Sequence, residues 1–187
     1  MKLPNVLTFI RFVLIPVIIW LLYTTKPTNI LLSMFFLVIA FVTDVADGYI
    51  AKNWKGQKSV FGTFFDPLVD KMLMLGLYFT FVDLDIIPLW LVLLVLAREL
   101  IVTGVRQVCS KPKKIVGANW MGKSKFGMQV LNIVHLHLVL YFGLKGVQSL
   151  FFSVQVAFWV TFFVTLVSLV YAGNFLRWYR KEILSDI

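Results

Sequence analysis

The sequence predicts an all-α integral membrane protein with six transmembrane helices. Of its 187 residues, 60% are hydrophobic and only 14% are charged, whereas soluble domains have about half apolar and a quarter charged residues. A chain of this length cannot bury so much apolar surface in its own interior, so lipid must cover the outside. The single cysteine, Cys109, leaves no intramolecular disulfide. These observations exclude a soluble enzyme, a disordered chain and a disulfide-stabilised secreted domain.

Six segments are long and apolar enough to cross a bilayer, which takes about 20 residues. They run from about Leu7 to Tyr23, Ile30 to Ala51, Phe61 to Val82, Pro88 to Val108, Gly122 to Phe142 and Leu150 to Arg177. Short polar stretches separate them, and no repeat or low-complexity run occurs. The sequence therefore predicts a single membrane domain over residues 1–187.

The distribution of basic residues predicts the orientation. The net charge is +9, from 18 Lys and Arg against 9 Asp and Glu. With six spans both termini lie on one side, and 16 of the 18 basic residues fall there, leaving only Lys26 and Lys145 on the other side. Basic loops face the cytoplasm and its anionic lipids. We expect both termini and the basic face in the cytoplasm of a bacterial-type membrane, with membrane lipids rather than nucleic acid as partners.

Two pairs of carboxylates stand beside the bilayer at the predicted cytoplasmic ends of the second and third spans. Asp44 and Asp47 are three residues apart, and Asp66 and Asp70 are four apart, so each pair shares a helix face. Charged groups at this depth are costly and indicate function. A short loop predicts that the two helices are antiparallel neighbours, which would bring the pairs together.

Four carboxylates at one place would repel one another unless cations neutralise them. Their hard oxygen atoms suit Mg²⁺, Mn²⁺ or Ca²⁺ better than zinc, and two such ions could hold a phosphoryl or diphosphate group. Gly48 and Gly62 leave room for a large ligand, and Lys52 adds a cation for a phosphate oxygen. The alternative is that these acids are helix-end residues paired with nearby lysines.

This stretch resembles the signature of the CDP-alcohol phosphatidyltransferases, D-x2-D-G-x2-A-R-x8/9-G-x3-D-x3-D. The matching residues are Asp44, Asp47, Gly48, Ala51, Lys52, Gly62, Asp66 and Asp70. At position 52 the family usually has arginine. Lys52 keeps the positive charge but cannot bind phosphate through two parallel hydrogen bonds, as arginine does. The opening PNVLTFIR is similar to the P-N-x-x-T-x-x-R start of these enzymes, and its alternative interpretation is a helix cap followed by a positive-inside arginine.

The resemblance implies the transfer of a phosphatidyl group from CDP-diacylglycerol to an alcohol, with release of CMP. It implies two divalent cations, Mg²⁺ or Mn²⁺, on Asp44, Asp47, Asp66 and Asp70, with Asp70 also deprotonating the acceptor hydroxyl. The residues that it assigns to CDP-diacylglycerol are Asn5, Thr8, Gly48, Ala51, Lys52 and Gly62. We also expect a homodimer.

Basic residues beyond the metal motif indicate an anionic acceptor. The candidates for its phosphate are Arg11, Arg98, Arg106, Lys123 and Lys125. Glu99 lies seven residues before Arg106, so an internal ion pair is the alternative for that arginine. On charge alone, glycerol 3-phosphate and inositol 1-phosphate fit almost equally well. The segments ARELIVTGVR and WMGKSKFGMQ resemble the branch of the family that uses glycerol 3-phosphate.

Other functions stay open at this point. Within the family, the acceptor could be an inositol phosphate, or phosphatidylglycerol in cardiolipin synthesis. UbiA-like prenyltransferases also place aspartates at helix ends, but they are usually longer. A divalent-cation transporter would place its site nearer the bilayer midplane and show broken helices or repeats.

Overall fold

The computed structural model describes residues 3–53, 60–109, 120–147 and 152–184, with side chains over 5–44, 65–105, 127–147 and 152–177. Over these residues the chain forms six α-helices. They are α1 (Leu3–Tyr23), α2 (Pro27–Asn53), α3 (Val60–Asp83), α4 (Leu89–Cys109), α5 (Trp120–Leu144) and α6 (Val154–Leu184). Each predicted span coincides with one helix, so the prediction of an all-helical chain is confirmed. The largest differences in boundary are at α1, which begins four residues earlier than predicted, and at α6, which ends seven residues later.

Tight turns join the helices at the end of the bundle where α1 ends. Thr25 has a φ of 48° in the turn to α2, Asp85 has 56° in the turn to α4, and Gly146 has 67° after α5. α2 begins at Pro27, a favoured first helical residue because it has no N–H that needs a partner there. These short connections make α1 and α2, and α3 and α4, antiparallel neighbours.

The six helices form a closed ring with one contact across it. α1 packs against α2 and α3, α3 against α4, α4 against α6, α6 against α5, and α5 against α2, while α3 also contacts α5 through the middle. Ile18, Leu37, Leu77, Phe81 and Leu136 are fully buried in the shared apolar core. The core is therefore shared by α1, α2, α3 and α5, and α3 meets α5 across the ring.

A polar seam crosses this apolar core. Asn132 on α5 donates hydrogen bonds to the Tyr78 hydroxyl of α3 and the Thr161 hydroxyl of α6, both at 3.2 Å. His137 Nδ1 lies 2.8 Å from the carbonyl oxygen of Ile133 and its Nε2 lies 3.2 Å from the Ser33 hydroxyl of α2. Because a carbonyl only accepts, Nδ1 carries the proton of the neutral ring and Nε2 accepts from Ser33. In lipid, such hydrogen bonds hold helices together where no hydrophobic force can.

The outer surface of the bundle is apolar. Large side chains such as Trp20, Phe35, Leu131 and Trp159 are between 59% and 70% exposed, which suits lipid and not water. Four described segments are long and apolar enough to cross a membrane. They are Asn5–Tyr23, Pro27–Asp44, Gly127–Leu144 and Val154–Arg177. The chain is thus an integral membrane protein.

The seam gives a test of what holds the helices together. Asn132→Leu, nearly the same size, should lower the free energy of unfolding because Tyr78 and Thr161 lose a buried partner. Hydrogen bonds between membrane helices average about 0.6 kcal/mol and reach about 1.7 kcal/mol, so a loss of about 1–2 kcal/mol is expected for the two contacts. Unfolding in mixed detergent–SDS micelles measures it. Leu131→Ala is the control, because Leu131 is 70% exposed to lipid, and an equal loss there would contradict the prediction.

Candidate active site

The first helix supplies two side chains that bind the carboxylates of the third. The Thr8 hydroxyl donates a hydrogen bond to Asp66 Oδ1, and Arg11 Nη1 donates one to Asp70 Oδ1. The spacing explains the match, because residues three apart on α1 lie on one face and residues four apart on α3 do likewise. Each carboxylate of the α3 pair therefore has its own partner on α1.

Arg11 also reaches the second helix. Its Nη1 lies 3.0 Å from Asp44 Oδ1, so one guanidinium nitrogen contacts carboxylates of both α2 and α3. The Arg11 side chain is only 1% exposed, while the side chains of Asp44 and Asp70 are each 28% exposed. A buried guanidinium is stable only when it is paired. The acids and the arginine therefore depend on each other at this place.

The position of α1 differs from the expected arrangement. The sequence predicts that α2 and α3 are direct neighbours, but among the described residues these helices do not contact each other, and α1 lies between them. Phe12 of α1 packs against Phe65 of α3, with ring centroids 5.9 Å apart. The carboxylates of α2 and α3 still come together, because the Arg11 side chain bridges the gap that α1 creates.

Several predicted site residues fall where side chains are not described. Their backbones continue the helices, but their contacts lie outside the described residues. They are Asp47, Gly48, Ala51 and Lys52 on α2, Gly62 on α3, Arg106 on α4, and Lys123 and Lys125 on α5. Asn5 is partly buried on α1, one turn before Thr8, and thus lies on the same helix as the residues that bind the acids.

The fourth helix brings further charged groups to the interior. Arg98 Nη1 donates to Glu99 Oε1 at 2.7 Å, and its Nε donates to the carbonyl oxygen of Ser168 on α6 at 3.2 Å. Arg98, a predicted phosphate ligand, is therefore 6% exposed and joined to α6. The structure pairs Glu99 with Arg98, and the alternative ion pair of Glu99 with Arg106 lies outside the described side chains.

Sequence reasoning missed one contact beside the acids. The Lys71 ammonium donates a hydrogen bond to the Thr103 hydroxyl, which joins α3 to α4. Two signals in the sequence could have found it: Lys71 directly follows Asp70, and Thr103 lies one turn after Glu99, which places the two on one face of α4. Polar residues that share a face of a membrane helix usually point to the protein interior.

The donor set suits a hard divalent cation. Among the described side chains, the possible ligand atoms that come together here are carboxylate and hydroxyl oxygens, which Mg²⁺ and Mn²⁺ prefer. The guanidinium of Arg11 already places one positive charge between Asp44 and Asp70. Among the described side chains, no three His, Cys, Asp or Glu residues are arranged as a metal site. Asp47, the fourth carboxylate of the motif, is outside that set.

Comparison with known proteins decides the family. A family model described as CDP-alcohol phosphatidyltransferase matches residues 1–172. The chain belongs to this family. The match includes all four aspartates of the motif together with Thr8 and Arg11, so the cluster at the ends of α1, α2 and α3 lies within it.

Curated relatives are similar over most of the chain. A protein of Bacillus subtilis is 32% identical over 179 residues, covering 89% of this chain and 91% of its own, and one of Rickettsia bellii is 33% identical over 172 residues, with the same coverage. Both are named CDP-diacylglycerol--glycerol-3-phosphate 3-phosphatidyltransferase. A probable cardiolipin synthase (CMP-forming) of Drosophila melanogaster is 36% identical over 118 residues, covering 61% of this chain and 36% of its own.

The contact between Thr8 and Asp66 can be tested by an isosteric change. Thr8→Val removes the hydroxyl and keeps the shape, so Asp66 loses a hydrogen bond to a charged acceptor, which contributes roughly 1.5–3 kcal/mol. We expect kcat/KM to fall by about 10- to 150-fold, as measured by CMP release in detergent. Thr165→Val is the matched control, because the buried Thr165 hydroxyl donates to the Thr161 carbonyl of its own helix and, among the described residues, to no carboxylate. A Thr8→Val enzyme with the activity of that control would rule out a role for the contact.

Proposed function

We propose that this protein transfers the phosphatidyl group of CDP-diacylglycerol to sn-glycerol 3-phosphate, forming phosphatidylglycerophosphate and CMP. The observation that carries the proposal is the contact of one Arg11 nitrogen with both Asp44 and Asp70. It brings motif carboxylates from two helices to one place at the same end of the bundle. Two relatives whose alignments cover most of this chain and most of their own length are named for this activity.

Divalent cations are part of the proposal. Members of the family generally depend on them, and the oxygen donors here fit that requirement. Asp44, Asp47, Asp66 and Asp70 would hold two ions, Mg²⁺ or Mn²⁺. When bound, such ions neutralise the diphosphate of the donor and stabilise the charge that develops during phosphoryl transfer. The protein supplies the scaffold: Thr8 and Arg11 fix one oxygen each of Asp66 and Asp70, which orients both carboxylates before the substrate arrives.

Asp70 is the proposed base. It takes the proton of the acceptor hydroxyl as the hydroxyl oxygen forms a bond to the phosphatidyl phosphorus. The bond from that phosphorus to the oxygen bridging the two phosphates breaks, and CMP leaves with this oxygen. Asn5, Thr8, Gly48, Ala51, Lys52 and Gly62 are the proposed contacts of CDP-diacylglycerol. Lys52 would meet a phosphate oxygen through a single ammonium rather than through a two-pronged guanidinium.

The acceptor site is proposed on the basic residues next to this centre. Arg11, Arg98, Arg106, Lys123 and Lys125 would bind the phosphate of glycerol 3-phosphate. Arg98 is joined to Glu99 and to α6, so we assign direct phosphate contact first to Arg106 and Lys125. Inositol phosphate would meet the same cations. Phosphatidylglycerol, the acceptor in cardiolipin synthesis, would enter from the lipid instead.

The membrane arrangement completes the proposal. We propose that all six helices cross the bilayer as one domain over residues 1–187, with both termini and the acids on the cytoplasmic side of a bacterial-type membrane. The tails of CDP-diacylglycerol could then stay in lipid while its head group and the soluble acceptor meet at the cytoplasmic face. A homodimer is proposed as the assembly.

The carboxylates of the motif should each be needed for activity. Asp44→Asn, Asp47→Asn and Asp66→Asn should lower turnover by orders of magnitude and weaken Mn²⁺ binding, because a lost carboxylate leaves a cation with too few ligands. CMP release and Mn²⁺ titration of the folded variants measure both effects. Asp83→Asn is the matched control, since Asp83 ends α3 on the opposite side of the bundle. Near-full activity of Asp66→Asn at low Mg²⁺ would contradict the proposed site.

The acceptor should be recognised by its phosphate. Arg106→Gln or Lys125→Gln should raise the KM for glycerol 3-phosphate by about 10- to 150-fold, the equivalent of one charged hydrogen bond of roughly 1.5–3 kcal/mol. The KM for CDP-diacylglycerol should change little. Uncharged glycerol should be a poor acceptor for the wild type. The preference for glycerol 3-phosphate over glycerol should be smaller in the variants.

Lys145→Gln is the control for these variants, because Lys145 follows α5 at the end away from the acids, where its ammonium lies 5.5 Å from the Tyr141 ring centre. A screen with inositol phosphate and phosphatidylglycerol beside glycerol 3-phosphate decides among the family's acceptors. If glycerol served as well as glycerol 3-phosphate, the basic residues would have no role in the choice of acceptor.

A further inference from the structure

Arg11 and the divalent cations of the proposed function need the same carboxylate oxygens. One nitrogen of Arg11 contacts Oδ1 of both Asp44 and Asp70. A carboxylate oxygen that accepts a charge-assisted hydrogen bond from a guanidinium binds a metal less strongly, because part of its charge is already neutralised. The two kinds of cation therefore compete at this position.

The charges of the four carboxylates and of their possible counter-ions indicate whether Arg11 or the divalent ions occupy the site when metal is present. Through its contacts with Asp44 and Asp70, Arg11 offsets one of the negative charges of Asp44, Asp66 and Asp70. Two divalent ions would balance all four carboxylates of the motif without any help from the arginine. A metal ion on Asp44 or Asp70 would also repel the neighbouring guanidinium, because both are cations that bind the same carboxylate oxygens.

We infer that Arg11 is the resident counter-ion of the metal-free site, and that binding of divalent metal displaces its guanidinium from Asp44 and Asp70. This inference rests on the proposed metal-dependent function. In this role Arg11 is a positioning residue: it keeps the carboxylates of α2 and α3 together while the site holds no metal, and it sets how tightly metal binds.

The position of α1 makes such an exchange necessary. Because α1 separates α2 from α3 over the described residues, no direct packing between those two helices holds their acids near each other. Without a cation the acids would repel one another. Thr8 is different, since its neutral hydroxyl can keep its bond to Asp66 whether metal is bound or not.

Mn²⁺ titration of purified, metal-stripped protein without lipid substrate tests the inference, with free Mn²⁺ followed by electron paramagnetic resonance. Arg11→Gln removes the competing charge and should bind Mn²⁺ about tenfold more tightly or better, the equivalent of one charged hydrogen bond. In EDTA, the melting temperature of this variant should be lower than that of the wild type. Mn²⁺ should raise the melting temperature of the variant by more than it raises that of the wild type. Arg11→Lys, which keeps the charge, should stay near the wild type in affinity. Arg177→Gln is the matched control, because Arg177 is exposed near the end of α6, and it should change neither value.

A second measurement uses the wild type alone and does not depend on the folding of any variant. Phenylglyoxal modifies accessible arginines, and mass spectrometry locates the modified residue. Arg11 should become more reactive when Mn²⁺ saturates the protein, while Arg98, held by Glu99 and the Ser168 carbonyl, should not change.

The outcomes separate this inference from the proposed function. Wild-type protein that binds Mn²⁺, with equal or weaker binding by Arg11→Gln and no change in labelling of Arg11, overturns the role of Arg11 alone. Wild-type protein that binds no Mn²⁺ in the presence or absence of CDP-diacylglycerol overturns the metal site itself, and this inference with it.

Discussion

A guanidinium that is almost fully buried holds the N-terminal half of this bundle together. Arg11 is 1% exposed and contacts carboxylates on two other helices through one nitrogen. Removing an arginine from water costs several kcal/mol unless paired charges offset the cost, so the positions of α1, α2 and α3 are coupled. Thr8 strengthens the same arrangement one turn earlier by bonding Asp66. The carboxylates thus lie where α1 places them, although none of them belongs to α1.

The bundle separates this charged end from a neutral polar seam deeper in the interior. The seam uses uncharged groups, Asn132, Tyr78 and Thr161, whose hydrogen bonds tie α3, α5 and α6 without any net charge in the lipid region. Arg98 lies between the two regions and reaches the backbone of α6. The polar seam and the charged end of the bundle therefore depend on different residues, and a substitution in one region should be tolerated by the other.

The sequence predicted the helices and the carboxylate pairs of the motif, because both follow from local spacing. Apolar runs of membrane length located all six helices, and the three- and four-residue spacing placed each aspartate pair on one face. It did not predict which helices are neighbours. In lipid, apolar faces do not reveal their partners, so the insertion of α1 between α2 and α3, and the Lys71–Thr103 contact, needed coordinates. Thr8 and Arg11 were found as members of a motif, but their bonds to Asp66 and Asp70 connect residues almost 60 positions apart.

The position of the acids along their helices fits the lipid substrate of the proposed function. Asp44 lies nine residues before Asn53, the last residue of α2, and Asp70 lies ten residues after Val60, the first of α3. At a rise of 1.5 Å per residue these positions are about 13–15 Å from the helix ends. Phosphates that belong to a lipid stay near the boundary between head groups and hydrocarbon, so they can meet the acids without leaving the membrane. Carboxylates at this place need a cation beside them, and Arg11 supplies one through its contacts with Asp44 and Asp70.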